Sequence, residues 1–166
     1  MKFSFLTYQF ARYPLEYCFK MAKEYGFEGV EVWGARPHAY AFDMDHDAIR
    51  DILSWKKKYG VEVSMLTPEL LAYPYNLVSA SVKEQKESVE YLKRNLENAA
   101  AMGTDKMQIA VKHPGYGRDK EEVWNISVPN IAIPLWTHIP TFAASMSFFH
   151  CMADVVQYRI LIPQTL

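Results

Sequence analysis

The sequence predicts an α/β fold: the first four βα units of a TIM (βα)8 barrel, truncated, followed by an irregular apolar tail. Three observations support this fold. Strand-like and helix-like apolar patterns alternate over residues 1–125, which indicates parallel strands joined by right-handed crossovers. A helix, a glycine and a strand follow one another three times, at Gly26, Gly60 and Gly103. The chain has 166 residues, whereas a complete barrel takes about 250.

The alternation of strands and helices also fits a doubly wound sheet. No G-x-G-x-x-G motif follows the first predicted strand, which weighs against the dinucleotide-binding form of that fold.

The first βα unit begins with an aromatic, alternating segment that predicts a strand at Lys2–Tyr8. Pro14 fits the first turn of a helix, where its missing N–H has no intrahelical partner to lose. Apolar residues then recur at helical spacing, and Gly26 provides a left-handed C-terminal stop. The residues of this face are Leu15, Cys18, Phe19, Ala22 and Tyr25.

The second and third units follow the same plan. Gly29–Trp33 is predicted as a strand, and Asp45 or Asp47 caps the following helix, which ends at Gly60. Its apolar face carries Ile49, Ile52 and Leu53. Val61–Leu66 is predicted as the third strand.

Ser81 and Glu84 form a capping box that opens the third helix, which runs to about Met102. Lys106–Val111 is predicted as the fourth strand. Asp119–Trp124 begins a fourth helix.

The tail, Ile126–Leu166, differs from the rest of the chain. It contains no glycine and only two charged residues, Asp154 and Arg159. Its prolines at 129, 134 and 140 predict that no helix spans Ile126–Pro140. The same prolines and two histidines make the tail a poor transmembrane span. We therefore divide the chain into residues 1–125, half a barrel, and 126–166, a segment out of coding frame or poorly structured.

Composition gives no support to several classes of protein. A net charge of −1 offers no electrostatic basis for binding nucleic acid or an anionic membrane. Two cysteines make no disulfide framework, and the apolar start is too short and too interrupted for a signal peptide. We predict a cytoplasmic protein.

The candidate site residues follow the predicted strands, because barrel sites are built from the loops at the C-terminal strand ends. Aromatic, imidazole and carboxylate groups together suit a polyhydroxylated ligand. The candidates are Trp33, His38, Glu69, Tyr75 and His113, beside Tyr8, Gln9 and Arg12 of the first loop. Trp33 could instead be a packing residue, His38 part of a turn, and Glu31 could face either the barrel interior or solvent. No complete metal motif, nucleophile elbow or P-loop is present.

The segment Gly29–Asp43 (GVEVWGARPHAYAFD) resembles the second-strand region of the sugar isomerase/epimerase family, which has the xylose isomerase-like barrel. The resemblance is closest to fructoselysine 3-epimerase and related ketose 3-epimerases. Leu66–Leu77 and His113–Tyr116 support it, and together these segments cover Met1–Asn125, the N-terminal half.

The resemblance implies epimerisation of a ketose by proton exchange at C3 through an enediolate. In that family a divalent metal, often manganese, is held by two glutamates, an aspartate and a histidine on strands five to eight. Ile126–Leu166 has no glutamate, so we expect no metal to bind this chain and no catalytic residue in it. The expected partner is a small-molecule sugar or sugar derivative, bound by an inactive N-terminal fragment.

Two alternatives remain at this point. The chain could be a non-catalytic half-barrel that binds sugar or self-associates through its open barrel edges. It could also be a nuclease-like relative acting on damaged DNA, which the lack of basic excess disfavours.

Overall fold

A computed structural model describes residues 2–138, 146–151 and 155–161. The strands are β1 Ser4–Leu6, β2 Gly29–Gly34, β3 Glu62–Pro68, β4 Lys106–Ala110, β5 Met146–Cys151 and β6 Val155–Leu161. The helices are α1 Leu15–Glu24, α2 His46–Tyr59, α3 Val82–Ala101 and α4 Lys120–His138. Short 3-10 helices lie at Thr7–Phe10 and Ala41–Asp43.

The first four strands are parallel and lie side by side in chain order, and each is followed by a helix. This arrangement confirms the prediction of four consecutive βα units. The tail strands extend the sheet differently, because β6 pairs antiparallel with β4, and β5 pairs antiparallel with β6. The resulting strand order is β1-β2-β3-β4-β6-β5.

The core lies between the sheet and its helices. Fully buried side chains from α1, α2, α3, β3 and β4 meet there, among them Phe19, Ile52, Leu66, Leu92, Leu96 and Met107. In β2, Val30 and Val32 are fully buried in this core. Because side chains alternate along a strand, Glu31 and Trp33 lie on the opposite face, which becomes the interior in a closed barrel. Glu31 is half-buried on that face and accepts a hydrogen bond from the Thr67 hydroxyl.

The helix ends largely follow the sequence signals. Pro14 is the N-cap of α1 and precedes its first turn. Asp45, the first of the two candidate caps, accepts a hydrogen bond from the Ala48 N–H at 2.9 Å. Gly60 ends α2 with a left-handed φ of 65°, a conformation that a side chain disfavours.

The predicted capping box of α3 is only half formed. The Ser81 hydroxyl accepts the Glu84 N–H. In a complete capping box the Glu84 carboxylate would accept the Ser81 N–H. Here the Ser79 hydroxyl lies between these groups: it accepts the Ser81 N–H at 3.0 Å and donates to the Glu84 carboxylate at 2.6 Å.

The first strand is shorter than predicted. The chain leaves the sheet after Leu6 and turns into a 3-10 helix at Thr7. This turn places the Thr7 hydroxyl 2.9 Å from the Trp33 backbone N–H, which donates to it. A side chain therefore replaces the backbone acceptor that a longer β1 would offer.

The prediction that prolines break any helix across Ile126–Pro140 was wrong, because α4 continues to His138. A proline removes one backbone donor and strains one turn, but the hydrogen bonds on either side can carry a helix past it. Packing supports the helix here: Ile131 is fully buried, and Asn130 Nδ2 donates to the Leu77 carbonyl at 2.7 Å.

The remainder of the tail is described only in part. The strands β5 and β6 are regular, whereas residues 139–145, 152–154 and 162–166 lie outside the described residues. The division at residue 125 and the out-of-frame interpretation stay predictions. Within the described ranges, no helix has the length and hydropathy needed to span a membrane.

Candidate functional site

Two candidate residues meet where β2 and β3 end. Trp33 and Gly34 pair with Thr67 and Pro68 in the sheet register, so Glu69 emerges beside Trp33. The Trp33 indole Nε1–H donates to Glu69 Oε2 at 2.9 Å. We call Trp33 and Glu69 the rim pair.

The second oxygen of the Glu69 carboxylate organises the loop that follows β3. Glu69 Oε1 accepts the backbone N–H of Leu71 at 2.7 Å and that of Ala72 at 3.0 Å. One carboxylate therefore fixes both a turn of its own loop and the orientation of an indole on the neighbouring strand.

Tyr8 adds a second aromatic ring to the rim pair. Its ring meets the Trp33 ring edge-on, with centroids 5.0 Å apart and planes at 79°. Tyr8 is 52% exposed and Trp33 half-buried, so aromatic surface next to a carboxylate remains open to a ligand. Sugars are bound in this way, by an apolar ring face combined with polar groups that take the hydroxyls.

His38 lies behind Trp33, with the two ring centroids 6.0 Å apart. Its Nε2 lies 3.0 Å from the Tyr13 carbonyl and its Nδ1 lies 3.0 Å from the Thr7 hydroxyl. A carbonyl only accepts, so Nε2 carries the proton, and in the neutral ring Nδ1 accepts from Thr7. Burial lowers the pKa of His38, and the Tyr13 hydrogen bond partly opposes that shift. His38 is therefore a neutral support for the rim, with both nitrogens already engaged.

Tyr75 lies in a separate group of stacked tyrosines. Its ring stacks on Tyr91 with centroids 3.9 Å apart and planes 8° apart, and its hydroxyl lies 2.8 Å from that of Tyr40. Tyr73 stacks on Tyr40 at 5.0 Å, which joins the loops after β2 and β3. Burial raises the pKa of the Tyr75 phenol, so it stays a neutral hydrogen-bonding group.

His113 stands apart on the loop after β4. It is exposed, its Nδ1 accepts the Gly115 N–H at 3.0 Å, and its ring lies 5.4 Å from the fully exposed Tyr116. The structure thus unites Trp33 and Glu69, places His38 behind them, and leaves Tyr75 and His113 elsewhere.

Two residues that the sequence did not single out support the site. Thr7 is fully buried and links β1 to both Trp33 and His38. Tyr91 is fully buried, and its hydroxyl reaches the ends of β2 and β3. Thr7 follows β1 in the structure but lies inside the strand predicted at Lys2–Tyr8, and Tyr91 sits in mid-helix at a spacing typical of the core.

A metal centre of the kind that the family resemblance implies does not fit the described residues. Among the side chains that the structure describes, those of residues 2–132, no group of three or more His, Cys, Asp or Glu could hold a metal ion.

Comparison with known proteins gives a consistent result. Residues 19–134 match the family model described as xylose isomerase-like TIM barrel. Fructoselysine 3-epimerases of Escherichia coli O157:H7 and Shigella flexneri are each 31% identical over 132 residues, which is 80% of this chain and 48% of theirs. The chain thus spans about half the length of the curated relatives it matches.

Solved structures show the same fold at lower sequence identity. A D-psicose 3-epimerase crystallised in the presence of D-fructose superposes with a TM-score of 0.61 at 15% identity. The superposition covers 79% of this chain and 46% of that protein. Both kinds of comparison therefore place this chain against about half of a larger barrel.

Proposed function

Because this chain belongs to the xylose isomerase-like TIM barrel family, we propose that it is the N-terminal half of a ketose 3-epimerase and supplies the sugar-binding rim. The observation that carries this proposal is the rim pair. An indole fixed by a carboxylate, at the C-terminal ends of two neighbouring barrel strands, is a rigid stacking surface where barrel sites lie. The names of the curated relatives, fructoselysine 3-epimerase, suggest an amino-acid-linked ketose as ligand.

The rim pair divides the work of binding between two side chains. Trp33 and Tyr8 offer ring surface to the C–H face of a sugar, and Glu69 retains acceptor capacity for a hydroxyl group. Three N–H groups already hold the Glu69 carboxylate in place, so little side-chain entropy remains to be lost on binding.

We propose that the chain alone does not epimerise sugars. Epimerisation at C3 needs a base on one face of the carbon and an acid on the other, and in the family two metal-bound glutamates take these roles. The described residues offer no cluster of ligands for such a metal. Manganese would then act only in a full-length relative.

We also propose that the protein is cytoplasmic, a compartment in which the buried Cys18 thiol stays reduced.

The binding proposal is tested by titrating fructoselysine and D-psicose into the chain, followed by isothermal calorimetry. Trp33→Phe should weaken binding several-fold, because it removes the indole N–H and reduces the ring surface. Trp55→Phe is the matched control, since Trp55 is half-buried on α2 and packs on Phe19. Equal affinities for both variants, or no binding by the unmodified chain, would overturn the proposal.

The inactivity proposal has its own experiment. The chain is incubated with each ketose and manganese in deuterium oxide, and deuterium at C3 is followed by NMR. We expect no incorporation above a blank without protein. Metal-dependent incorporation by the purified chain would overturn inactivity while leaving the binding proposal intact.

A second candidate is a non-catalytic half-barrel that self-associates. It is favoured by β1, which pairs only with β2 among the described strands and has Phe3, 54% exposed, next to it. Unpaired strand edges recruit further strands. Light scattering after gel filtration should then give a mass above one chain, reduced by Phe3→Lys. A monomer at all concentrations would remove this candidate.

A further inference from the structure

The hydroxyl of Tyr91 joins the two strand ends that carry the rim pair. Tyr91 is on α3, fully buried, and held in orientation by the ring of Tyr75 stacked on it. Its hydroxyl oxygen lies 2.9 Å from the Gly34 carbonyl oxygen and 3.3 Å from the Glu69 carbonyl oxygen. The hydroxyl proton is thus shared between the carbonyl of Gly34, the last residue of β2, and the carbonyl of Glu69, the residue after β3. It favours the Gly34 carbonyl, which is nearer.

These strand ends have no spare room between them. A Cβ on Gly34 would lie 2.8 Å from the Cα of Pro68, closer than real side chains come. Trp33 precedes Gly34 and Glu69 follows Pro68, so the spacing of the strand ends sets the distance between the two side chains of the rim pair. Tyr91 reaches both backbones from the helix layer.

We propose that Tyr91 is the positioning residue of the rim: its hydroxyl sets the strand-end spacing at which Trp33 and Glu69 form their hydrogen bond. The expected effect on sugar affinity rests on the proposed function, because it assumes that the rim pair binds a ketose. The expected effect on the Trp33–Glu69 hydrogen bond does not depend on that assumption. Without the hydroxyl, the strand ends lose their shared donor. The indole N–H should then change its environment, although the Tyr91 hydroxyl donates to backbone carbonyls and not to a side chain of the pair.

The test uses the full chain labelled with ¹⁵N at tryptophan. The chain has four tryptophans, and Trp33→Phe assigns the Trp33 indole N–H resonance. Tyr91→Phe should move that resonance toward its position in Glu69→Gln, where the indole has lost its acceptor. Tyr59→Phe is the matched control, because Tyr59 is half-buried and its hydroxyl also donates a hydrogen bond, to Glu16 at 2.9 Å. A loss of stability alone would not distinguish the two tyrosine variants, whereas the Trp33 resonance does.

Sugar affinity is measured on the same proteins with fructoselysine. Loss of one hydrogen bond corresponds to roughly a threefold to tenfold change in an equilibrium constant. We expect a dissociation constant weakened in that range for Tyr91→Phe and less than about twofold for Tyr59→Phe. An unshifted Trp33 resonance in Tyr91→Phe overturns the positioning role. So does a Tyr91→Phe chain that fails to fold while Tyr59→Phe folds, because the hydroxyl would then hold the whole domain. A shifted resonance in a chain that binds no sugar supports the positioning role and refutes the proposed function.

Discussion

The indole N–H of Trp33, on β2, donates at 2.9 Å to the carboxylate of Glu69, which follows β3 and lies 36 positions later in the chain. The same carboxylate accepts two backbone N–H groups of its own loop. An aromatic ring and a loop turn are therefore coupled through a single side chain, which makes Glu69 the residue whose replacement separates the two effects.

Glu69→Gln should break the link to Trp33 and preserve the turn. The amide oxygen can still accept from Leu71 and Ala72, but the amide NH₂ then faces the indole N–H, donor against donor. We expect a loss of about 1 kcal/mol in the free energy of unfolding, measured by urea denaturation, with a shifted Trp33 indole resonance.

Glu69→Ala is the companion variant, because it removes all three hydrogen bonds. Its destabilisation should exceed that of Glu69→Gln, since two backbone N–H groups also lose their acceptor. Equal destabilisation by the two variants would show that the carboxylate does not organise the loop.

His38 should make stability depend on pH below neutrality. Burial lowers its folded-state pKa below the ordinary value of 6.5. Between these two pKa values the unfolded chain binds more protons than the folded one, so stability rises with pH there. The stability that neutral His38 contributes to the folded chain is fully present above about pH 6.5 and is lost as the pH falls through the folded-state pKa.

The measurement is a series of thermal melts from pH 7.5 to 4.5. The difference in Tm between the unmodified chain and His38→Gln should shrink as the pH falls. His46→Gln is the control, because the His46 side chain is 93% exposed. A pH-independent difference for His38→Gln would mean that the ring titrates alike in the folded and unfolded chains.

The sequence singled out both members of the rim pair as candidates, because Trp33 ends a predicted strand and Glu69 follows one, and strand ends meet at one edge of a parallel sheet. Placing Trp33 near Glu69 requires only the correct order of the strands. Tyr75 and His113 follow strands too, but they come several residues into loops whose course depends on distant packing partners. Tyr75 turns away because Tyr91, on a helix, offers a ring to stack on. No local pattern reveals that contact.

The helix layer was predictable wherever a cap or a glycine marks an end, as at Asp45 and Gly60. It was not predictable across Pro129 and Pro134. Local propensity there opposes a helix by about 3 kcal/mol per proline, whereas burial of Ile131 against the core favours it. Such tertiary contacts cannot be read from one segment alone.

Lys56 should stabilise the C-terminal end of α3 from outside that helix. Its Nζ donates to the Met102 carbonyl at 3.0 Å, lies 3.0 Å from the Glu62 carboxylate, and its side chain is only 14% exposed. A cation at a helix C-terminus satisfies a free carbonyl and interacts favourably with the helix dipole. We expect Lys56→Met to lower the free energy of unfolding by about 1 kcal/mol.

Lys57→Met is the matched control, because Lys57 is exposed on the same turn of α2. Its effect should stay within about 0.5 kcal/mol. Urea denaturation of both variants decides the matter, and indistinguishable midpoints would exclude a capping role for Lys56.

Ile131 should contribute to the core although it lies beyond residue 125, where the composition of the chain changes. It is fully buried in α4, and the neighbouring Asn130 is anchored to the Leu77 carbonyl. Truncating a buried isoleucine to alanine typically costs about 2–5 kcal/mol. We expect Ile131→Ala to destabilise the chain by that amount in urea denaturation, and Ile126→Ala, which is half-buried, by clearly less. If both variants cost under about 1 kcal/mol, the folded unit ends near residue 125 and the tail adds nothing to its core.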